Sequence, residues 1–110
     1  MRNPRNPALL RAFAAELKAR RATLGLNQEG LAFAAGIDRT FVVRLETCST
    51  SPSLDSLFRI GTGLEIDPAE LIGSVAKRYR NDMIDYALMM QGKLMSIPDD
   101  EETVLQAVDI

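Results

Sequence analysis

Histidine and tryptophan are absent from this chain, and only one cysteine occurs in its 110 residues. Without histidine there is no imidazole to act as a base near neutral pH or to bind a metal through nitrogen. With Cys48 alone, no internal disulfide can form, and a cytoplasmic setting is expected. Neither a C-x-x-C pair nor a G-x-x-x-x-G-K-[ST] loop is present. The carboxylates at 99–102 are adjacent, a solvated run and not a positioned acid–base pair. Catalysis is therefore not expected, and neither a cofactor nor a metal is implied. Aromatic residues make up only 5%, and β-branched runs are few, which favours helix over sheet. The start, M-R-N-P-R-N-P, has no apolar stretch of the signal-peptide kind. No apolar run approaches the ~18 residues needed to cross a bilayer, so no membrane association is expected.

What is there suits one small all-α domain with an appendage. Hydrophobic residues make up 46%, enough for a small core. The net charge of −2 conceals an asymmetry: residues 1–80 carry +4 and residues 81–110 carry −6. A basic front and an acidic tail suit a molecule that meets phosphate with one part and something else with the other.

Residues 1–7 repeat Arg-Asn-Pro, and Pro4 and Pro7 predict an extended arm. Helix 1 is predicted over 8–23, with Leu10, Phe13, Ala14, Leu17 and Leu24 inward. Asn27 is a candidate N-cap, Gln28 opens a second helix to Ala35, and Gly36 ends it in a left-handed turn. Asp38 is the next N-cap candidate. The helix it starts, 39–47, buries Val42 and Leu45 and leaves Arg39, Thr40, Val43 and Arg44 outward. Ser53 caps a fourth helix, with Leu54, Leu57, Phe58 and Ile60 or Leu64 inward. Asp67 and Pro68 start a fifth, where Leu71 and Ile72 close the core. Beyond Gly73 a separate helix over 75–95 is predicted. Its residues Ala76, Tyr79, Met83, Tyr86 and Met90 form a heptad-like stripe of about two heptads. An acidic tail follows Pro98, either a short helix or disordered.

The segment 24–46, L-G-L-N-Q-E-G-L-A-F-A-A-G-I-D-R-T-F-V-V-R-L-E, reads as two short helices joined by a tight glycine turn. A short helix with two arginines and a threonine outward has the size and chemistry to enter a DNA major groove. Together with L-K-A-R-R-A-T-L-G-L-N-Q-E before the turn and S-P-S-L-D-S-L-F-R-I-G-T-G-L-E-I-D-P-A-E-L-I after it, this segment resembles the lambda repressor and Cro family, also called the XRE family. The resemblance runs from about Leu10 to Ile72. It implies a five-helix DNA-binding domain over 8–73, here followed by an additional C-terminal helix and acidic tail over 74–110.

By that resemblance Arg39, Thr40 and Arg44 match positions that read base edges, and Val43 can add an apolar contact. Arg44 is the first candidate, since its fork of donors matches guanine O6 and N7. Arg39, near the helix start, can reach either a base or a phosphate. Gln28 matches the family glutamine that bonds phosphate, and Asn27 can add to it or simply cap. Ser49, Thr50 and Ser51 stand where such loops often carry basic residues, so their hydroxyls can bond phosphate without releasing counterions. Cys48 occupies a place where glycine commonly ends helix 3. Gly30, inside helix 2, is expected to cost about 1 kcal/mol relative to alanine.

The leading expectation is a prokaryotic or phage-type, sequence-specific transcriptional regulator, most simply a repressor. It would bind double-stranded DNA as a homodimer on an inverted repeat, so its cytoplasmic location is nucleoid-associated when bound. The stripe of Ala76, Tyr79, Met83, Tyr86 and Met90 would be the dimer or partner interface. The alternative is an antitoxin or other protein-interaction regulator whose residues 74–110 bind a protein partner.

Overall fold

The computed structural model describes residues 6–94. Arg2 and Arg5 of the expected arm, and the acidic tail, lie outside the described residues. The order is α1 (Pro7–Thr23), α2 (Gln28–Ala35), α3 (Arg39–Glu46), α4 (Leu54–Leu64) and α5 (Pro68–Leu94), with no strand among the described residues.

Local chemistry sets most of the boundaries. Asn6 accepts the Leu9 N–H at 3.2 Å and Pro7 occupies the first helical turn, so α1 begins one residue earlier than the sequence suggested. Arg20 and Arg21 in its last turn face the negative end of the helix dipole. Asn27 and Ser53 cap α2 and α4 by accepting the N–H groups of Gly30 and Ser56. Asp67 accepts the Ala69 N–H at 2.8 Å and precedes Pro68. Asp38 holds the N-cap backbone conformation of α3 but makes no side-chain cap bond.

One core serves all five helices. Its least exposed side chains are Leu17 of α1, Leu31 of α2, Val42 and Leu45 of α3, Ile60 of α4 and Leu71 of α5. Burying each contributes roughly 1.5–3 kcal/mol. The α2–α4 contact is close because Gly63 has no side chain: a Cβ there would lie 3.0 Å from the Ala35 backbone nitrogen.

Three expectations change. The predicted break at Gly73 does not occur, and α5 runs as one helix through it. Glycine costs about 1 kcal/mol there, but Leu71 and Val75, one turn apart, are both buried and hold the helix on either side. Leu24 lies beyond the end of α1 and is exposed. Leu54, Phe58 and Ile72, expected inward, are also exposed. The buried face of α4 is instead Ser56, Ile60, Gly61, Gly63 and Leu64, so its larger residues Leu54 and Phe58 turn away from the core.

Ion pairs tie α1 to α5. Glu16, buried, receives Arg20 Nε at 2.6 Å and Arg78 Nε at 2.7 Å. Arg20 also donates to Glu70 and to the Ser74 hydroxyl. Burial would push the Glu16 carboxyl up, but hydrogen bonds from Arg78 and Arg20 more than offset it and hold its pKa below the ordinary value.

Candidate nucleic-acid interface

The turn between α2 and α3 is built on Gly36. Its φ of 67° is left-handed, a conformation that costs least without a Cβ. The Ile37 N–H then closes on the Ala32 carbonyl at 3.0 Å, which ends α2 and aims the chain into α3.

α3 has two unlike sides. Val42 and Leu45 are fully buried, and Glu46 is buried beside them; its carboxylate receives Arg21 through a fork: Nε to Oε2 at 2.8 Å and Nη2 to Oε1 at 3.0 Å. Gln28 Nε2 donates to the same Oε1 at 3.0 Å, and Arg21 Nη1 donates to the Leu26 carbonyl at 2.9 Å. The end of α1, the turn before α2, the start of α2 and the end of α3 are thus fastened at one carboxylate. Burial acts to raise the Glu46 pKa, but hydrogen bonds from Arg21 and Gln28 outweigh it and hold the group ionised below the usual glutamate range.

Arg39, Thr40 and Arg44 occupy the other side, exposed, with Val43 half-buried between them. They stand at i, i+1, i+4 and i+5, so they share one helical face. Among the described residues, Arg39 and Arg44 pair with no carboxylate, as is also true of Arg11 and Arg80, whereas Arg20, Arg21, Arg59 and Arg78 all do. The eight residues of α3 span about 12 Å. A helix with its side chains is about 10–12 Å across, a diameter that the major groove, about 12 Å wide, admits.

Asn27, Gln28, Glu29 and Arg39 line a small cleft of about 160 Å³ at the N-terminal end of α2. The first N–H groups of a helix have no carbonyl partner within it, and the helix dipole adds positive character there. The Arg39 guanidinium alongside favours an anion in this cleft, and the Glu29 carboxylate that also lines it opposes one. The expected phosphate role of the Gln28 side chain meets a competing bond, since its amide nitrogen already serves Glu46. The Asn27 oxygen is taken by the Gly30 N–H at 2.7 Å. A Cβ at Gly30 would lie 3.2 Å from that Asn27 oxygen, a tight contact that a small shift of the Asn27 side chain would relieve.

The loop after α3 keeps a left-handed turn without glycine. Cys48 has φ 62°, and the Ser49 N–H bonds the Arg44 carbonyl at 2.8 Å. The Ser49 hydroxyl lies 2.9 Å from that of Thr47. Thr50 is half-buried, and Ser51 borders an apolar cavity lined also by Leu9, Phe13, Leu57 and Ile72. The stripe on α5 is divided. Tyr79 packs on the core and its hydroxyl accepts from Asn6 Nδ2 at 2.9 Å, Ala76 and Met83 are half-buried, and Tyr86 and Met90 are exposed.

The inward acid Glu46 and its partner Arg21 escaped the sequence reading. A hint was present, because Glu46 follows Val42 by one helical turn and so falls on the buried face.

A helix-turn-helix family model matches residues 17–71. Among solved structures, the restriction-modification controller protein C.AhdI from Aeromonas hydrophila is 39% identical. That match covers 56% of this chain and 94% of that one, with a TM-score of 0.55. The controller C.Esp1396I, solved as a tetramer in complex with its natural 35 base-pair operator, is 30% identical over 64% of this chain and 93% of that one, with a TM-score of 0.60. The clp gene regulator ClgR from Corynebacterium glutamicum shares the fold at 22% identity, covering 77% of this chain and 93% of that one, with a TM-score of 0.64. No curated protein matches.

Proposed function

Given that the chain belongs to the XRE-type helix-turn-helix family of DNA-binding transcription regulators, we propose that it represses transcription as a homodimer on an inverted-repeat operator. In this reading α3 of each copy lies in the major groove, Arg44 and Thr40 read base edges, and Val43 touches a thymine methyl. Arg39 and the first amides of α2 hold a phosphate and fix register. The likeness to C.AhdI and C.Esp1396I supports restriction-modification genes as the regulated set.

The observation that carries the reading is the contrast on α3. Its inner side is anchored by buried leucine, valine and a bonded carboxylate, while its outer side holds two arginines with no carboxylate partner among the described residues. A rigid helix with uncommitted donors can match a base pattern, whereas arginines already paired within the fold cannot. The acidic sequence pI of about 5.1 is no obstacle, because the local field at the groove governs binding.

Selection of bound duplexes from a randomised pool, followed by footprinting, tests this. The expected outcome is a two-fold repeat with half-sites about 10 bp apart. A single unrepeated site, or no enrichment at all, contradicts it.

A further inference from the structure

One apolar face of the molecule is left open to water. Leu9, Leu10, Phe13, Leu57, Ile72 and Val75 line a cavity of about 250 Å³ between α1, α4 and α5. Leu9 and Ile72 at its rim are 41% and 44% exposed. Along α5 the face continues away from the core, because residues 72, 76, 79, 83, 86 and 90 alternate by four and three and carry no charge. Tyr86 and Met90 at its far end are exposed. Lys77 and Arg80, also on this stretch of α5, are exposed and pair with no carboxylate among the described residues.

Residues 95–110 lie outside the described residues, and Leu94 is where they join α5. They carry Asp99, Asp100, Glu101, Glu102 and Asp109 and no cation, and Val104, Leu105 and Val108 follow the acidic run. An extended chain spans at most about 3.3–3.6 Å per residue, so residues 99–102 lie within about 17–29 Å of Leu94 and residues 104–108 within about 33–50 Å. A helix rises 1.5 Å per residue, so Arg80 and Lys77 stand about 21 and 26 Å back along α5 from Leu94, and Val75 and Ile72 about 29 and 33 Å. The acidic run therefore reaches the two cations, and the apolar residues after it reach the cavity, in matching order. Asp82 and Asp85 stand only about 14–18 Å back, beside the part of the path taken by Met95–Pro98, which carries no charge.

The arginines of α3 would also attract these acids, but they are out of reach. α1 and α5 run antiparallel, since Arg20 meets Glu70 and Asn6 meets Tyr79. Leu94 lies about 22 Å beyond Tyr79, whereas Arg21, which anchors α3 through Glu46, lies about 22 Å from Asn6 in the opposite direction. Roughly 45 Å therefore separates Leu94 from α3, against a reach of at most about 29 Å for the acidic run.

We propose that residues 99–108 fold back along α5 of the same chain, with the acidic run against Arg80 and Lys77 and with Val104, Leu105 and Val108 over the cavity beside Leu9 and Ile72. A segment joined to the chain is present at its own face at an effective concentration on the order of millimolar, ahead of a partner that must arrive from solution. Seated there it is a self-cap, which anything else that uses this face has to displace. The family model stops at residue 71, before the cap and most of the stretch of α5 that it follows. The cap is independent of how α3 meets DNA.

The test uses the full chain without DNA. In a Cys48→Ser background, Leu105→Cys is combined either with Leu9→Cys at the cavity rim or with Asn81→Cys, and each pair is exposed to a mild oxidant. Asn81 is exposed and lies nine residues, two and a half turns, from Ile72, so it stands on the opposite side of α5 and nearer to Leu94. A segment with no seat would meet it at least as readily as it meets Leu9. The expected result is a disulfide within one chain for the Leu9 pair, formed at least tenfold faster than for the Asn81 pair and at a rate that does not change with protein concentration. Adding Val104→Asp, Val108→Asp, Lys77→Glu and Arg80→Glu together should abolish that advantage while the helical circular dichroism is unchanged. Equal rates for the two pairs, or a disulfide that forms only between chains, overturns the cap. An advantage that survives the four added substitutions overturns it as well.

Discussion

Arg21 and Arg44 sit on either side of the same short helix and have opposite surroundings. Arg21 reaches inward from α1 and spends its donors on the Glu46 carboxylate and the Leu26 carbonyl. Arg44 projects from α3 into solvent beside Arg39 and Thr40. One arginine fixes where the helix lies, and the other has no carboxylate partner among the described residues. On the proposed reading the same residue type serves stability on one side of α3 and recognition on the other, and the two roles should separate under mutation.

The largest effect is expected from the inner side. Glu46→Ala leaves the Arg21 guanidinium partly buried without its counter-charge and frees Gln28, and should cost about 3 kcal/mol in denaturant unfolding. A loss under about 1 kcal/mol would mean that the network is ornamental and the comparison fails. The outer side predicts the reverse profile. Arg44→Ala should weaken operator binding by roughly 1–3 kcal/mol and change folding stability by less than about 0.5 kcal/mol. Equal losses for operator and random duplex would move Arg44 from base reading to phosphate binding.

Acid sharpens the comparison without a mutation. Glu16 and Glu46 both have folded-state pKa values below the ordinary glutamate value. Their contribution is therefore fully present above the unfolded pKa of about 4.3 and is lost as pH falls through and below it. Unfolding free energy should fall progressively from about pH 5 downward. Glu46→Gln should flatten part of that slope, and an unchanged slope would remove Glu46 as its source.

The smallest effect concerns the loop after α3. Cys48 holds φ 62° after α3, where a Cβ is unfavourable. Cys48→Gly should raise stability by about 0.5–1 kcal/mol and leave operator affinity unchanged. Destabilisation would show that the thiol packs favourably enough to outweigh the strain.

Much of the fold follows from local rules. Asn27, Gly36, Ser53 and the Asp67–Pro68 pair mark helix ends because capping depends on a few adjacent residues. Val42 and Leu45 inward, with Arg39, Thr40 and Arg44 outward, likewise follow from a 3.6-residue period over a short span. Other features depend on neighbours distant in sequence. Glu46 meets Arg21 across 25 positions and Glu16 meets Arg78 across 62, and no periodicity shows which cation answers a buried acid. Leu54, Phe58 and Ile72 read as core because apolar spacing shows a face without showing what covers it. The helix from Pro68 and the helix over 75–95 read as separate because the family pattern ends at Gly73, while the burial of Leu71 and Val75 that joins them is not visible in the sequence.

The central claim is that the uncommitted face of α3 reads DNA sequence. Its most direct test is a titration of the wild type and the Arg39→Ala, Arg44→Ala double variant against DNA from upstream of its own gene and a random duplex. The account predicts saturable wild-type binding to the upstream DNA, much weaker binding to the random duplex, and loss of that difference in the folded variant. A variant that still tells the two duplexes apart as well as the wild type would contradict it.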